Sequence, residues 1–171
     1  MSGVRGRLAG ALLGLALVVP VAAAAGVWQW QAAELRDAED SQAEDREVLN
    51  AATRQTLAWA SVDYQEVDEY VESVEEGATG EFLKQFQESE DALRQLLEDN
   101  KSVQVPTIPE GGAGLLERSG DEARVLIAMD ATVTNKSSKT PQPRQYRLQV
   151  TVVESDGEWL TSGLEFIDAQ T

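Results

Sequence analysis

Ala123-Arg124-Val125-Leu126-Ile127-Ala128-Met129-Asp130-Ala131-Thr132-Val133-Thr134 decides the fold. Ala123, Val125, Ile127, Met129, Ala131 and Val133 alternate without a miss against Arg124, Asp130, Thr132 and Thr134. A period of two puts the first set on one face of a strand, and that face must be covered. Downstream, Asn135 to Pro143 reads as a polar loop, after which Tyr146, Leu148, Val150 and Val152 alternate again. Asp156-Gly157 then has the composition of a tight hairpin turn, leading into Trp159, Leu160, Leu164 and Phe166. Upstream, Val103 to Leu116 carries Pro106, Pro109 and the glycines at 111, 112 and 114, and reads as an edge strand with a kink or bulge. Three to four antiparallel strands are expected.

The cover for this sheet lies before Asn100, where the apolar period is helical. Val48, Ala52, Trp59 and Val62 form a stripe at helical spacing with Gln55 as its polar break, and the helix is expected to end near Trp59 or Ala60. Asp63 and Glu66 have the spacing of a capping box, ahead of Val67, Tyr70, Val71 and Val74 at i, i+3, i+4 and i+7. Gly77 stops that helix. Thr79 is placed to cap a third one, lined by Phe82, Leu83, Phe86, Leu93, Leu96 and Leu97 and closed by Asn100. Helices on one curved antiparallel sheet make an α+β domain.

Charge divides the 171 residues into three regimes. Residues 1–33 hold two bases and no acid, Glu34 to Asp99 hold 20 acids against five bases, and the remainder holds 10 acids against seven bases, within a net charge of −16. Such a polyanion does not bind nucleic acid by neutralising phosphates, so no nucleic-acid partner is expected. There is no cysteine and no histidine. Disulfides, thiol nucleophiles, Cys/His zinc sites and histidine-based triads are therefore excluded.

From Leu8 through Trp30 no residue is charged, and a helix of that length rises roughly 34 Å, enough for a hydrocarbon core of about 30 Å. Arg5 and Arg7 precede it, and Trp28 and Trp30 stand at its far end, the order of a membrane span with the N-terminus inside. Leu8 to Val19 followed by Pro20 and Ala22 to Ala25 also has the order of a cleavable secretory signal. The length and the paired indoles favour the retained anchor. The expected organisation is a cytoplasmic N-terminus at 1–7, a bilayer-spanning helix at 8–30, an acidic helical stalk at 31–47 and an extracytoplasmic domain at 48–171.

Ser61-Val62-Asp63-Tyr64, Gly80-Glu81-Phe82, Met129 through Asn135, Asp156-Gly157-Glu158-Trp159-Leu160 and Leu164-Glu165-Phe166, in this order, resemble the Mce-associated membrane proteins of actinobacteria. The resemblance implies a single-pass protein whose outer domain has a fold of the nuclear-transport-factor-2 and VirB8 type. It further implies a non-enzymatic accessory role, assisting assembly or stability of an Mce-type lipid import complex, with Mce-type transporter subunits as partners. The helical half is more acidic than that family leads one to expect.

Motifs for chemistry are sparse. No calcium-loop spacing, Walker loop, dinucleotide Gly-x-Gly-x-x-Gly after a strand or Gly-x-Ser-x-Gly elbow occurs, so no metal, cofactor or catalytic residue is expected. Folds of the resembled type do host enzymes in a conical pocket, which makes Asp130, with Tyr64, the pocket pair to locate. A carboxylate there is a useful base only if burial tunes it. A small-molecule or lipid-binding cone and a VirB8-like secretion scaffold are the alternative functions.

Overall fold

The computed structural model describes residues 41–167. The segment Leu8–Trp30 lies outside the described residues, and among those described no helix is long and apolar enough to cross a membrane. The alternating stretch forms β4 (Glu122–Asn135), flanked by β3 (Ala113–Ser119) and followed by β5 (Ser138–Ser155) and β6 (Glu158–Phe166). With β1 (Val62–Asp63) and β2 (Val103–Thr107) they make one antiparallel sheet of six strands in the order β1-β2-β4-β5-β6. β2 and β3 pair successive halves of β4.

Six strands, rather than three or four, arise because Val62, expected on the α1 stripe, opens the short β1 instead and because Val103–Leu116 divides, while a further departure lengthens β5. Val103–Leu116 is not one kinked strand: Ile108 to Gly112 break it in two, and the bulge comes later, between Leu115 and Glu117. The segment from Asn135 to Pro143 is not a loop. Only Lys136 and Ser137 turn, with the Asn135 side-chain oxygen accepting from the Ser137 and Ser138 amides at 2.9 Å. The ladder with β4 then runs on past Pro143↔Thr132. The register shifts between Val133↔Gln142 and Asn135↔Ser138, and Pro141 falls in that irregularity, whereas Pro143 sits in the regular ladder, which requires its ring nitrogen to face the open edge. At the other end Asp156 (φ 53) and Gly157 (φ 84) both sit in the left-handed region, as a two-residue turn of this kind requires.

Three helices cover one face: α1, described over 41–60, α2 (Val67–Glu76) and α3 (Gly80–Asn100). Val48, Ala51 and Ala52 of α1 pack on Val125, Ile127 and Met129 of β4 and Leu148, Val150 and Val152 of β5, all but Ala51 fully enclosed. A second cluster joins Val67, Tyr70, Val71 and Val74 of α2 to Phe86 and Leu97 of α3. Trp59 touches both clusters. Leu96 departs from the expected stripe and is 57% exposed, because its neighbour Leu97 takes the inward position.

The helix ends differ from the expected caps. Asp63 does not close a capping box. Its carboxylate accepts from the Gln65 amide at 2.9 Å, a local turn that leaves Glu66 at the N-cap of α2 without a side-chain bond. Thr79 occupies the N-cap of α3 without a side-chain bond, its amide spent instead on the Thr161 carbonyl at 2.8 Å. Asn100 is the last residue of α3, and Lys101 (φ 49) is the left-handed residue that ends it. Arg118 of β3 reaches Glu44 at 2.6 Å and Asp45 at 2.8 Å, so the polar run before Val48 ends in contact with the sheet.

Candidate functional site

Gln55, the polar break in the α1 stripe, is buried and fixes the helix to the sheet. Its Nε2 donates to the Trp159 carbonyl at 2.6 Å, and its Oε1 accepts from the Thr161 hydroxyl at 2.5 Å. Gly77 permits this, because a Cβ there would stand 2.9 Å from Gln55 Cγ. Around the tie opens a polar groove of about 670 Å³ between α1, the end of α2 and the β5–β6 turn. Glu47, Arg54, Glu76 and Glu158 stand exposed on its walls, with Trp159 beneath them.

Between the helices and the sheet the space is divided: an open depression of about 400 Å³ lies where α2 faces β1 and β2, lined by Tyr70, Val103, Gln104 and Pro106, and the remainder is packed by side chains. Trp59 and Tyr146 each approach the Phe166 ring, at centroid distances of 5.9 and 6.1 Å. The Tyr146 hydroxyl donates to Gln104 Oε1 at 3.1 Å, and Gln104 Nε2 donates to the Ala60 carbonyl at 2.8 Å, stitching sheet to helix. A cavity of about 10 Å³ lies beside Thr56, Trp59, Phe82 and Leu164. That volume is about one water molecule and no organic ligand.

Tyr64 and Asp130 are not brought together. Tyr64 is half-buried against the α2–α3 cluster, its amide donating to the Ser102 carbonyl at 3.0 Å. Asp130 is exposed on the outer face of the sheet, where its carboxylate accepts from Gln145 Nε2 at 3.2 Å, in an open depression of about 620 Å³ with Val105 and Arg144. No group of three or more acidic side chains is placed to hold a metal among the described residues.

Tyr70 is the buried titratable group. Its hydroxyl donates to the Trp59 carbonyl at 3.1 Å, and burial pushes its phenol from 10.0 up to about 12. The folded protein thus holds this proton more tightly than the unfolded chain does. Stability from this source is complete below pH 10 and is lost as pH rises toward 12. Urea midpoints measured from pH 8 to 12 should show that loss, of about 2 kcal/mol in all. Tyr70→Phe should flatten this part of the profile while costing about 1 kcal/mol at neutral pH for the missing hydrogen bond.

Helices on one face of a curled antiparallel sheet are an arrangement shared with structures of the VirB8-like fold. An IcmL-like type IV secretion system protein of Legionella pneumophila superposes with a TM-score of 0.58 at 11% identity, covering 71% of this chain and 91% of its own. The periplasmic domain of DotI gives 0.57 at 13%, covering 73% and 96%, and VirB8 of Agrobacterium tumefaciens gives 0.55 at 9%, covering 75% and 95%. At such identities the likeness is one of fold. The chain belongs to the family described as uncharacterized protein Rv1363c/MT1408-like, whose model matches residues 8–168. The Mycobacterium tuberculosis protein Rv1363c is 30% identical over 116 residues, 68% of this chain. The match spans 44% of that relative's length.

The Gln55 tie was present in the sequence only as an interruption of a stripe, and a buried amide needs two partners that no spacing reveals.

Proposed function

We propose that this chain is a non-enzymatic accessory protein, held at the membrane by Leu8–Trp30, whose domain docks on Mce-type lipid import subunits on the outer side of the membrane. One observation carries the reading: the layer between α1 and the sheet is filled by Val48, Ala52, Ile127, Met129 and Leu148 and leaves a cavity of only about 10 Å³ beside Thr56, so the grooves that stay open lie on the outer surface. The ordered motifs from Ser61 to Phe166 support the Mce assignment, and the 23 uncharged residues support the anchor. Binding a folded partner raises that partner's stability by mass action, which is the mechanism proposed.

A VirB8-like scaffold of a secretion machine is the second reading, favoured by the fold shared with the type IV secretion proteins. Crosslinking in native membranes, followed by identification of the attached proteins, separates the two. Mce-type subunits are the expected catch. Secretion components in their place would support the second reading, and no reproducible partner would end both.

A further inference from the structure

The two ends of β5 carry opposite charge. At one end the paired β4–β5 segment from Ala128↔Arg147 outward holds Lys136, Lys139, Arg144 and Arg147 against a single acid, Asp130, in a chain whose net charge is −16. All four are exposed, and none forms an ion pair with a described residue. The Lys136 amide donates to the Asn100 carbonyl at 2.7 Å, which brings Lys101 to the same end. Glu98 and Asp99, on the adjacent last turn of α3, form no ion pair with these bases.

β5 has 18 residues, so its other end lies roughly 60 Å away along the strand. There the groove beside Gln55 is walled by Glu47, Glu76 and Glu158, with Glu154 and Asp156 next to it in the β5–β6 hairpin. Arg54 is the one base on these walls.

We propose that the cationic β4–β5 segment of one copy docks against the acidic groove end of a second copy of this chain. This rests on the reading that the domain works through its surface, and it names one of the surfaces used. Charge complementarity between the poles identifies the occupant. Backbone pairing is blunted, because Pro143 removes an amide donor from the open edge of β5 and the register shift at Pro141 interrupts that edge. Poles at opposite ends make the contact head-to-tail, so successive copies form a ring or a short row rather than a face-to-face pair. The attraction is between exposed groups and is screened by salt.

The test is sedimentation velocity of the full chain in a neutral detergent at about 50 mM and about 500 mM salt, where the screening length falls from roughly 14 Å to roughly 4 Å. The wild type should associate at low salt and lose at least tenfold in affinity at high salt. K136E/K139E/R144E/R147E and E47K/E76K/E158K, each confirmed folded by circular dichroism, should each lose at least tenfold at low salt. Mixing the two reversed variants should restore association, since each then offers the pole the other lacks. A wild type that stays monomeric at low salt, or reversed variants that associate as the wild type does, would overturn the proposal. Binding of the segment to vesicles of equal phosphatidylglycerol and phosphatidylcholine without self-association would overturn it also. None of these results would touch docking to a different protein, which the membrane crosslinking reads independently.

Discussion

Replacing Ile127 by alanine should lower the free energy of unfolding by about 3–4 kcal/mol. Ile127 is fully enclosed at the middle of β4, where it faces α1 and neighbours Val125, Met129 and Leu148. β4 is paired along both halves of its length and β5 holds its other side, so the backbone cannot close over the missing atoms. A cavity would remain, and its cost adds to the lost burial. Urea unfolding followed by tryptophan fluorescence measures this. A loss under about 1 kcal/mol would mean that the helical layer relaxes onto the sheet, contrary to the packing described.

Gln55→Ala should cost about 2–4 kcal/mol, a loss of a different kind. The substitution leaves the Trp159 carbonyl and the Thr161 hydroxyl, both in buried residues, without the amide they share. Gln55→Met keeps the volume and still removes both bonds, so it should lose about 2 kcal/mol or more. If Gln55→Met were as stable as the wild type, the amide would be filling space rather than tying α1 to β6. The same two variants should leave the basic segment, at the far end of β5, undisturbed.

The difference between these two residues is also the difference between what the sequence made legible and what it hid. Ile127 announced itself, because a strict period of two fixes which face of β4 is core without knowledge of its partners. The helical stripes of α2 and α3 were legible for the same reason, apart from Leu96. What stayed hidden depends on groups distant in the chain. Gln55 is a defect in a stripe until Trp159 and Thr161, more than a hundred residues later, are placed against it. Pro141 and Pro143 read as loop residues because the first is tolerated by a register shift against β4 and the second by an edge left open where β6 stops.

The candidate site shows the same division. Alternation alone put Asp130 on the polar side of its strand, and there it lies. Whether Tyr64 could join it depended on the path of β1 and the loop after it, and Tyr64 went to the helical cluster instead. That the aliphatic side chains of α1, β4 and β5 leave only about 10 Å³ beside Thr56 is a matter of summed volumes, to which periodicity is blind. The basic residues were countable from the start, but their meaning depends on β4 and β5 carrying them to the end of the sheet opposite the acidic groove.

The central claim is that the chain acts by holding partners rather than by turnover. Quantitative proteomics of membranes from cells lacking the gene tests it most directly. The account predicts that Mce-type subunits fall in abundance, that the intact chain restores them, and that a version without residues 1–30 does not. Unchanged subunit levels in the deletion would contradict it.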